Sequence, residues 1–475
     1  MAIKIVLDPI TRLEGHLKIE VSVEPVKGTQ QVVDAWVTGT LYRGFETMLI
    51  NRDPLDAQHF TQRICGVCPV PHGMAAVMAL DKALQVTPPS NARIMRNLVL
   101  GANFIQSHIL HFYHLTLPDF LDGPAMPPWQ PSWKADKRFD SATTQKLIGN
   151  YIKAIDMTRK ANEMGAIFGG RMPDPPTYIP GGFTSFPKAE LVSKFGAYLN
   201  ELIDFITNSY MKDAENLAQV YGDYKGIGRG YANLLAFGVF DQDDQGRTKL
   251  FRSGRVSGGA GTIQPVDTKA IFEEVSYSWY NNNTNHLTPA QGETLPLYPK
   301  NQAYSWMKAP RYLGNAYEVG SLARMWINGN YRNGISVMDR HQARAKETLT
   351  IGQAMSLWLT QLKTGQSVFT SYSLPSTVQA YGLTEAPRGA LGHWLEISNR
   401  KITHYQIVTP TCWNASPRDS QRLHGPIEEA LIGTPVKNIS EPVEVLRVIH
   451  SFDPCLSCAV HIIRPGEGSK VFHIG

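Results

Sequence analysis

Two pairs of cysteines with the same spacing stand at opposite ends of a 475-residue chain. Cys65 and Cys68 lie in RICGVCPVPHG, and Cys455 and Cys458 in DPCLSCAVH. The fifth and last cysteine is Cys412. A C-x-x-C turn aims two sulfurs at one ion, and thiolates are soft ligands that suit zinc, nickel and iron. Two such pairs complete a four-sulfur site. A structural zinc ribbon is the plainer reading, but its pairs usually lie about 15–20 residues apart. Here almost the whole chain separates Cys68 from Cys455. Isolated buried cysteines are a third reading, and the matched spacing speaks against it. A disulfide framework does not fit so few cysteines arranged in this way. Spacing alone favours a functional metal centre and leaves a zinc staple open.

The flanking residues narrow the choice. RICGVCPVPH together with DPCLSCAVH resembles the paired signature of the large subunit of NiFe hydrogenases. DPITRLEGH, YRGFETMLINRDPLDAQHFTQRICGVC, GSLARM, EAPRGALGHW and YQIVTPTCWN continue the resemblance in the family's order along nearly the whole chain. The resemblance implies a nickel–iron centre. Cys65 and Cys455 match terminal nickel ligands, Cys68 and Cys458 match ligands shared with iron, and the iron carries CO and two cyanides. It implies the reversible splitting of H2 into protons and electrons. Thiolates keep nickel electron-rich, and a ligand pair from each end means the site forms only when the whole subunit has folded.

Further roles rest on the same resemblance. Glu14 matches a proton-transfer glutamate; alone, EGH would be a surface turn. Arg388 matches an arginine above the open metal position, where a fixed cation can polarise H2, and Asp453 would hold it. Lone arginines otherwise make salt bridges. His72, about one helical turn beyond Cys68, matches a residue that hydrogen-bonds a bridging sulfur; a buried structural histidine is the alternative. Pro410 and Thr411 match the pocket of the diatomic ligands. Glu46, the carbonyl of Ile407 and His461 match a magnesium site.

The chain also departs from the pattern. Cys412 stands where many relatives have threonine or a similar residue; it reads as inert packing or as a residue that affects oxygen sensitivity. Ser107 takes a place often held by aspartate, and MPDPPTYIPGG lacks a histidine common in relatives. The family commonly ends at the histidine matching His461, after an endopeptidase removes the residues beyond it. Residues 462–475 therefore read as a cleavable assembly peptide, against the plain alternative of a C-terminal strand.

Composition agrees with a folded protein. Hydrophobic residues make up 43% and charged residues 18%, which is globular rather than disordered. A formal charge of +5 without a basic run gives nucleic-acid binding little support. No segment reaches the ~18 apolar residues of a membrane span, and the N-terminus does not read as a signal peptide. With too few cysteines for clusters of its own, the chain implies a small subunit that carries iron–sulfur clusters. The motifs most resemble the membrane-associated uptake group. This implies H2 oxidation, a membrane cytochrome b reached through the small subunit, and co-export to the periplasm or outer membrane face; a cytoplasmic location is the alternative. Two rivals are a zinc-stapled scaffold and a quinone-binding respiratory subunit of the same fold. Relatives of the second kind have lost the cysteine pairs.

The elements that must position these residues read as α+β and mainly α. KIVLDPI, HLKIEVSVEPV and VVDAWVTGTL predict strands with a turn at KGTQQ. DPLDAQHFTQRI and HGMAAVMALDKAL predict helices. Ser90 is a candidate cap for a long helix, NARIMRNLVLGANFIQSHILHFYHLTL, apolar on most sides and central to a bundle. Helices are expected near 144–167, 188–221, 317–328 and 336–363. Residues 225–315 read as irregular, with short strands and polar turns, and 375–450 as loops, short strands such as HYQIV and a helix at 425–433. With no repeat or clear linker, residues 1–475 read as one body. It has a long helix bundle, small peripheral sheets, and a metal site between the N- and C-terminal segments.

Overall fold

A computed structural model of the chain describes residues 2–127, 129–130 and 133–458, and for Cys458 the backbone alone. His461 and residues 462–475 lie outside the described residues.

The first forty residues form an antiparallel sheet of Ile3–Leu7, Leu17–Val26 and Thr29–Gly39, in chain order. Alternation in LKIEVSV buries Leu17, Ile19, Val21 and Val23 on one face. Lys27 and Gly28, both at positive φ, make the tight turn expected at KGTQQ.

Helix Ser90–Leu110 packs against Ser141–Gly169 and Val337–Gln361, and Ala189–Phe205 and Met211–Val220 complete the bundle. Every residue from Ile94 to Ile105 is buried, so this helix is surrounded, as its all-round apolarity predicts. Its polar residues are used. Asn97 Nδ2 donates to the carbonyl of Asp241 at 2.9 Å, and Arg96 pairs with Asp81 at 2.6 Å. Ser90 does not cap. The preceding residue at the helix start is Pro89, and Ser90 Oγ donates to Asp244 Oδ2 at 2.6 Å. A carboxylate from a loop distant in sequence takes that hydroxyl instead of the helix's own amides. Beyond Leu110 the helix continues in the wider π form over His111–Thr116, where His111 Nε2 lies 2.6 Å from the carbonyl of His450.

Residues 225–315 hold short strand pairs, as expected. The segment from 375 onward is more regular than its sequence suggests. Thr377–Ala386, Gly389–Ser398 and Lys401–Val408 form an antiparallel meander. The middle strand is buried on both faces, so it lacks the alternation that marks a half-exposed strand. Helix Val443–Ser451, unexpected from the sequence, is rich in β-branched residues that mask helical character.

Candidate metal centre

The turn after the short helix Ala57–Gln62 carries Cys65, and Cys68 is the residue that opens helix Pro69–Ala83, with proline at its first position. The backbone N–H of Cys68 donates to Cys65 Sγ at 3.2 Å. A helix start favours negative charge, so the turn suits thiolates. Asn103 of the central helix donates to the carbonyl of Val67 at 3.0 Å and fixes the turn from behind.

The C-terminal pair arrives from helix Val443–Ser451. Asp453, at φ 53°, reverses the chain, and Cys455 enters the core. Its backbone N–H donates to Thr411 Oγ1 at 3.0 Å. Cys455 and Glu14 form a parallel bridge, and the N–H of Leu456 donates to the Glu14 carbonyl at 2.7 Å. Arg43 Nη2 donates to the carbonyls of Ile64 and Ser457, the second at 3.1 Å, and so clamps the two cysteine segments together.

Gly15 makes this approach possible. At φ +87°, a Cβ there would stand 2.5 Å from the backbone nitrogen of Ser457. Gly28, at φ +85°, has nothing within 4 Å. Gly28→Ala should therefore cost only the left-handed backbone term, about 1–2 kcal/mol. Gly15→Ala carries that term and a backbone collision. Thermal unfolding and nickel content are expected to fall clearly further for Gly15→Ala; equal losses would mean that the two ends are not locked by this contact.

The sulfurs converge. Cys65 Sγ and Cys455 Sγ are 3.3 Å apart, too far for a disulfide. With Cys68 they form a group whose ligand atoms all lie within 4.8 Å of one another, and all three residues are buried. Three soft donors from two distant segments fit a thiophilic ion. The turn Leu456–Cys458 follows Cys455 directly and ends at the fourth cysteine.

Arg388 stands close to this group. It occupies a two-residue hairpin tip with Pro387, between paired Ala386 and Gly389. Its Nη2 lies 3.0 Å from Asp453 Oδ1, and both side chains are 2% exposed. Burial would lower the guanidinium's pKa, yet Asp453 and then Cys455, Cys68 and Cys65 hold it well above its usual value. Ser107 Oγ is 3.5 Å from Arg388 Nη1, so a neutral group stands beside the guanidinium there.

Glu14 is partly exposed, and its Oε1 accepts from Ser457 Oγ at 3.0 Å. His72 is fully buried, and its Nδ1 lies 3.2 Å from His393 Nε2. Burial holds the His72 imidazole down to about 4, so it is neutral near pH 7. Pro410 and Thr411 begin helix Pro410–Asn414 behind Cys455, capped by Thr409.

Glu46 and Ile407 also meet. Glu46 Oε1 accepts the N–H of Ile407 at 2.9 Å, and Glu46 Oε2 lies 3.7 Å from Lys308 Nζ. Glu46, Glu273, Lys308 and Cys412 share a cavity of about 70 Å³. Burial, with Glu46 adding to it, pushes Glu273 up to about 7 even though Lys308 pulls it down. Burial, aided by Glu273 and Glu46, pushes the Cys412 thiol up to about 12, which agrees with an inert protonated side chain. Lys308 also lies 3.6 Å from Glu273, so its ammonium balances both carboxylates here.

Sequence reasoning gave no role to Arg43, Gly15, Asn103, Lys308 or His393. Arg43 and His393 lie inside the family motifs, and Gly15 adjoins Glu14, so proximity to named residues was the available signal.

A buried set of soft sulfur donors beneath a fixed arginine defines a metal-dependent protein with a redox-capable ligand set. The family model described as nickel-dependent hydrogenase matches residues 43–132, 125–335 and 329–461, and one described as HoxL-like matches residues 4–31. The periplasmic NiFeSe hydrogenase large subunit of Desulfomicrobium baculatum is 41% identical, over 98% of this chain and 96% of the relative. The quinone-reactive Ni/Fe-hydrogenase large chain of Wolinella succinogenes is 31% identical, over 98% of this chain and 96% of the relative. Among solved structures, the Ni-Fe-Se hydrogenase from D. vulgaris Hildenborough in the reduced state matches with a TM-score of 0.94 at 42% identity. That match covers 97% of this chain and 100% of that one. The chain belongs to the nickel-dependent hydrogenase family. It is a hydrogenase large subunit, an oxidoreductase acting on H2, and such subunits pair with a small subunit. No described helix is long and apolar enough to cross a membrane.

Proposed function

We propose that Cys65, Cys68, Cys455 and Cys458 hold a nickel–iron centre. Cys65 and Cys455 would hold the nickel, Cys68 and Cys458 would hold nickel and iron together, and the iron would carry CO and two cyanides. The observation that carries this reading is the convergence of three buried sulfurs from two distant segments near Arg388. All four ligand candidates are cysteine, so this chain offers sulfur at every position. When bound, the centre supplies the H2-binding and electron-accepting chemistry.

The chain's own residues do the rest. Arg388, held by Asp453, keeps a fixed charge beside the sulfurs, where exclusion of water strengthens its field. Glu14 takes up a proton at its carboxylate and, being partly exposed, passes it outward. His72 tunes a sulfur, and Pro410 and Thr411 wall the side of the diatomic ligands. Glu46, the carbonyl of Ile407 and His461 would bind magnesium; the Glu46 carboxylate set against Ile407 supports an oxygen-ligated ion there.

Electrons leave through a small subunit with iron–sulfur clusters, because only Cys412 remains once four cysteines serve the centre. The reading extends to H2 oxidation at the periplasmic or outer membrane face, after co-export with the small subunit, and to a membrane cytochrome b as acceptor. The names of the periplasmic, uptake and quinone-reactive relatives support it. The chain works as one body, with a bundle around the central helix and the centre between its terminal segments. Residues 462–475 are removed by an endopeptidase, in keeping with a family match that ends at residue 461. While that peptide is attached, the second cysteine pair stays open to metal loading.

Elemental analysis and intact mass of the separated large subunit test both parts. Nickel and iron in equal amounts, on a chain ending at His461, are the expected result. Zinc alone would refute the centre, and a fully active chain ending at Gly475 would refute the processing.

A further inference from the structure

His72 is the end of a row of three polar side chains in the core. His72 Nδ1 lies 3.2 Å from His393 Nε2, and His393 Nδ1 lies 2.9 Å from Tyr405 Oη. Relative exposures are 0% for His72, 0% for His393 and 1% for Tyr405, so water does not compete for these bonds. Three separate elements build the row. His72 sits in the first turns of helix Pro69–Ala83, His393 on the middle strand of the meander, and Tyr405 on its neighbour. Tyr405 pairs with Leu395, two residues from His393, so the two side chains share a face of the sheet and meet diagonally. The His72 and His393 ring centroids are 5.4 Å apart, and those of His393 and Tyr405 5.6 Å.

Donor and acceptor counting fixes the direction of the row. A phenol has one proton to give, and a neutral imidazole has one N–H and one bare nitrogen. Among the described residues, His393 Nδ1 is the only hydrogen-bond partner of Tyr405 Oη. The phenol proton must point there, because the opposite direction buries a hydroxyl proton without an acceptor. His393 is then bare at Nδ1 and carries its proton on Nε2. That N–H donates to His72 Nδ1, which leaves the His72 proton on Nε2. His72 Nε2 is buried and has no hydrogen-bond partner among the described residues. A donor is therefore left over on the residue one helical turn from Cys68. Burial keeps both imidazoles neutral, which this alternation requires.

We propose that His393 and Tyr405 are positioning residues that lock His72 in its Nε2–H form, so that it offers the cysteine centre a donor and never a lone pair. This rests on the nickel–iron reading of the cysteine site. A donor to a thiolate withdraws electron density from the metal it binds, whereas a lone pair facing the sulfur would repel it. The row thus sets the sign of His72's influence, and Tyr405, the most distant member, decides it.

Neutron diffraction from D2O-exchanged, assembled enzyme reads the row directly. Deuterons are expected on Tyr405 Oη, His393 Nε2 and His72 Nε2. A deuteron on His72 Nδ1 overturns the inference whatever metal the crystal holds, while nickel content decides the metal reading separately. Two variants add a functional readout. His393→Gln keeps an amide N–H to donate to His72 Nδ1, and His393→Leu keeps the bulk without a donor. The glutamine enzyme should retain about tenfold more turnover than the leucine enzyme at equal nickel content, the scale of outer-sphere effects on metal sites. It should also keep a nickel midpoint potential closer to that of the native enzyme. Equal turnover and equal potentials in the two variants would overturn the donor role.

Discussion

Replacing any one of Cys65, Cys68, Cys455 or Cys458 with serine drops H2-dependent dye reduction to background in the assembled enzyme. Serine keeps the shape but offers a harder oxygen that remains protonated at neutral pH, a poor match for nickel or low-valent iron. Three of the sulfurs lie within 4.8 Å of one another in a buried pocket, so no water or neighbouring side chain can readily stand in. Nickel content is expected to fall with activity. Cys412→Ser is the matched control. Its thiol is held protonated and belongs to the neighbouring cavity, so nickel should stay. Normal turnover in any of the four ligand variants would remove that cysteine from the centre.

Glu14→Gln separates proton movement from metal binding. The glutamate holds the C-terminal segment through its backbone carbonyl, at 2.7 Å from the Leu456 nitrogen, and the substitution leaves that bond intact. The amide oxygen of glutamine can still accept from Ser457 Oγ. Nickel and iron should therefore remain, while H/D exchange and turnover fall by about 10²–10⁴-fold, the scale of a lost acid–base group. Loss of metal would make Glu14 a structural residue. Undiminished exchange would send the proton by another route.

The cysteine pattern was legible because it is local and its chemistry is rare: two residues of spacing suffice to aim two sulfurs. The central helix was legible because Ile94–Ile105 is apolar enough to be buried all round. The middle strand of the meander was not, since burial on both faces erases the period of two. Nor was the partner of His72. His393 and Tyr405 meet only once the register of two strands is set, and no local pattern encodes that register. Gly15 looked like punctuation after Glu14. Its need appears only when residues from the other end of the chain come within 2.5 Å of where a Cβ would be. Ser90 carried a sound local signal, but Asp244 claimed its hydroxyl from a distant loop.

The hairpin tip that carries Arg388 has a consequence for how the enzyme responds to temperature and to substitution. The loop holds only two residues, and a Cβ on Gly389 would strike the backbone nitrogen of Gly320 at 2.8 Å, so the tip is wedged. With its guanidinium buried and paired with Asp453, the cation is held in place from both ends. Its ordering entropy is spent during folding, so in the role proposed for Arg388 the charge needs little reorganisation when H2 arrives. Lysine would bring the same charge on a flexible stem that must be ordered at each turnover. Arg388→Lys therefore trades a prepaid arrangement for a recurring one, and its deficit should appear in the activation entropy of turnover as well as in its rate.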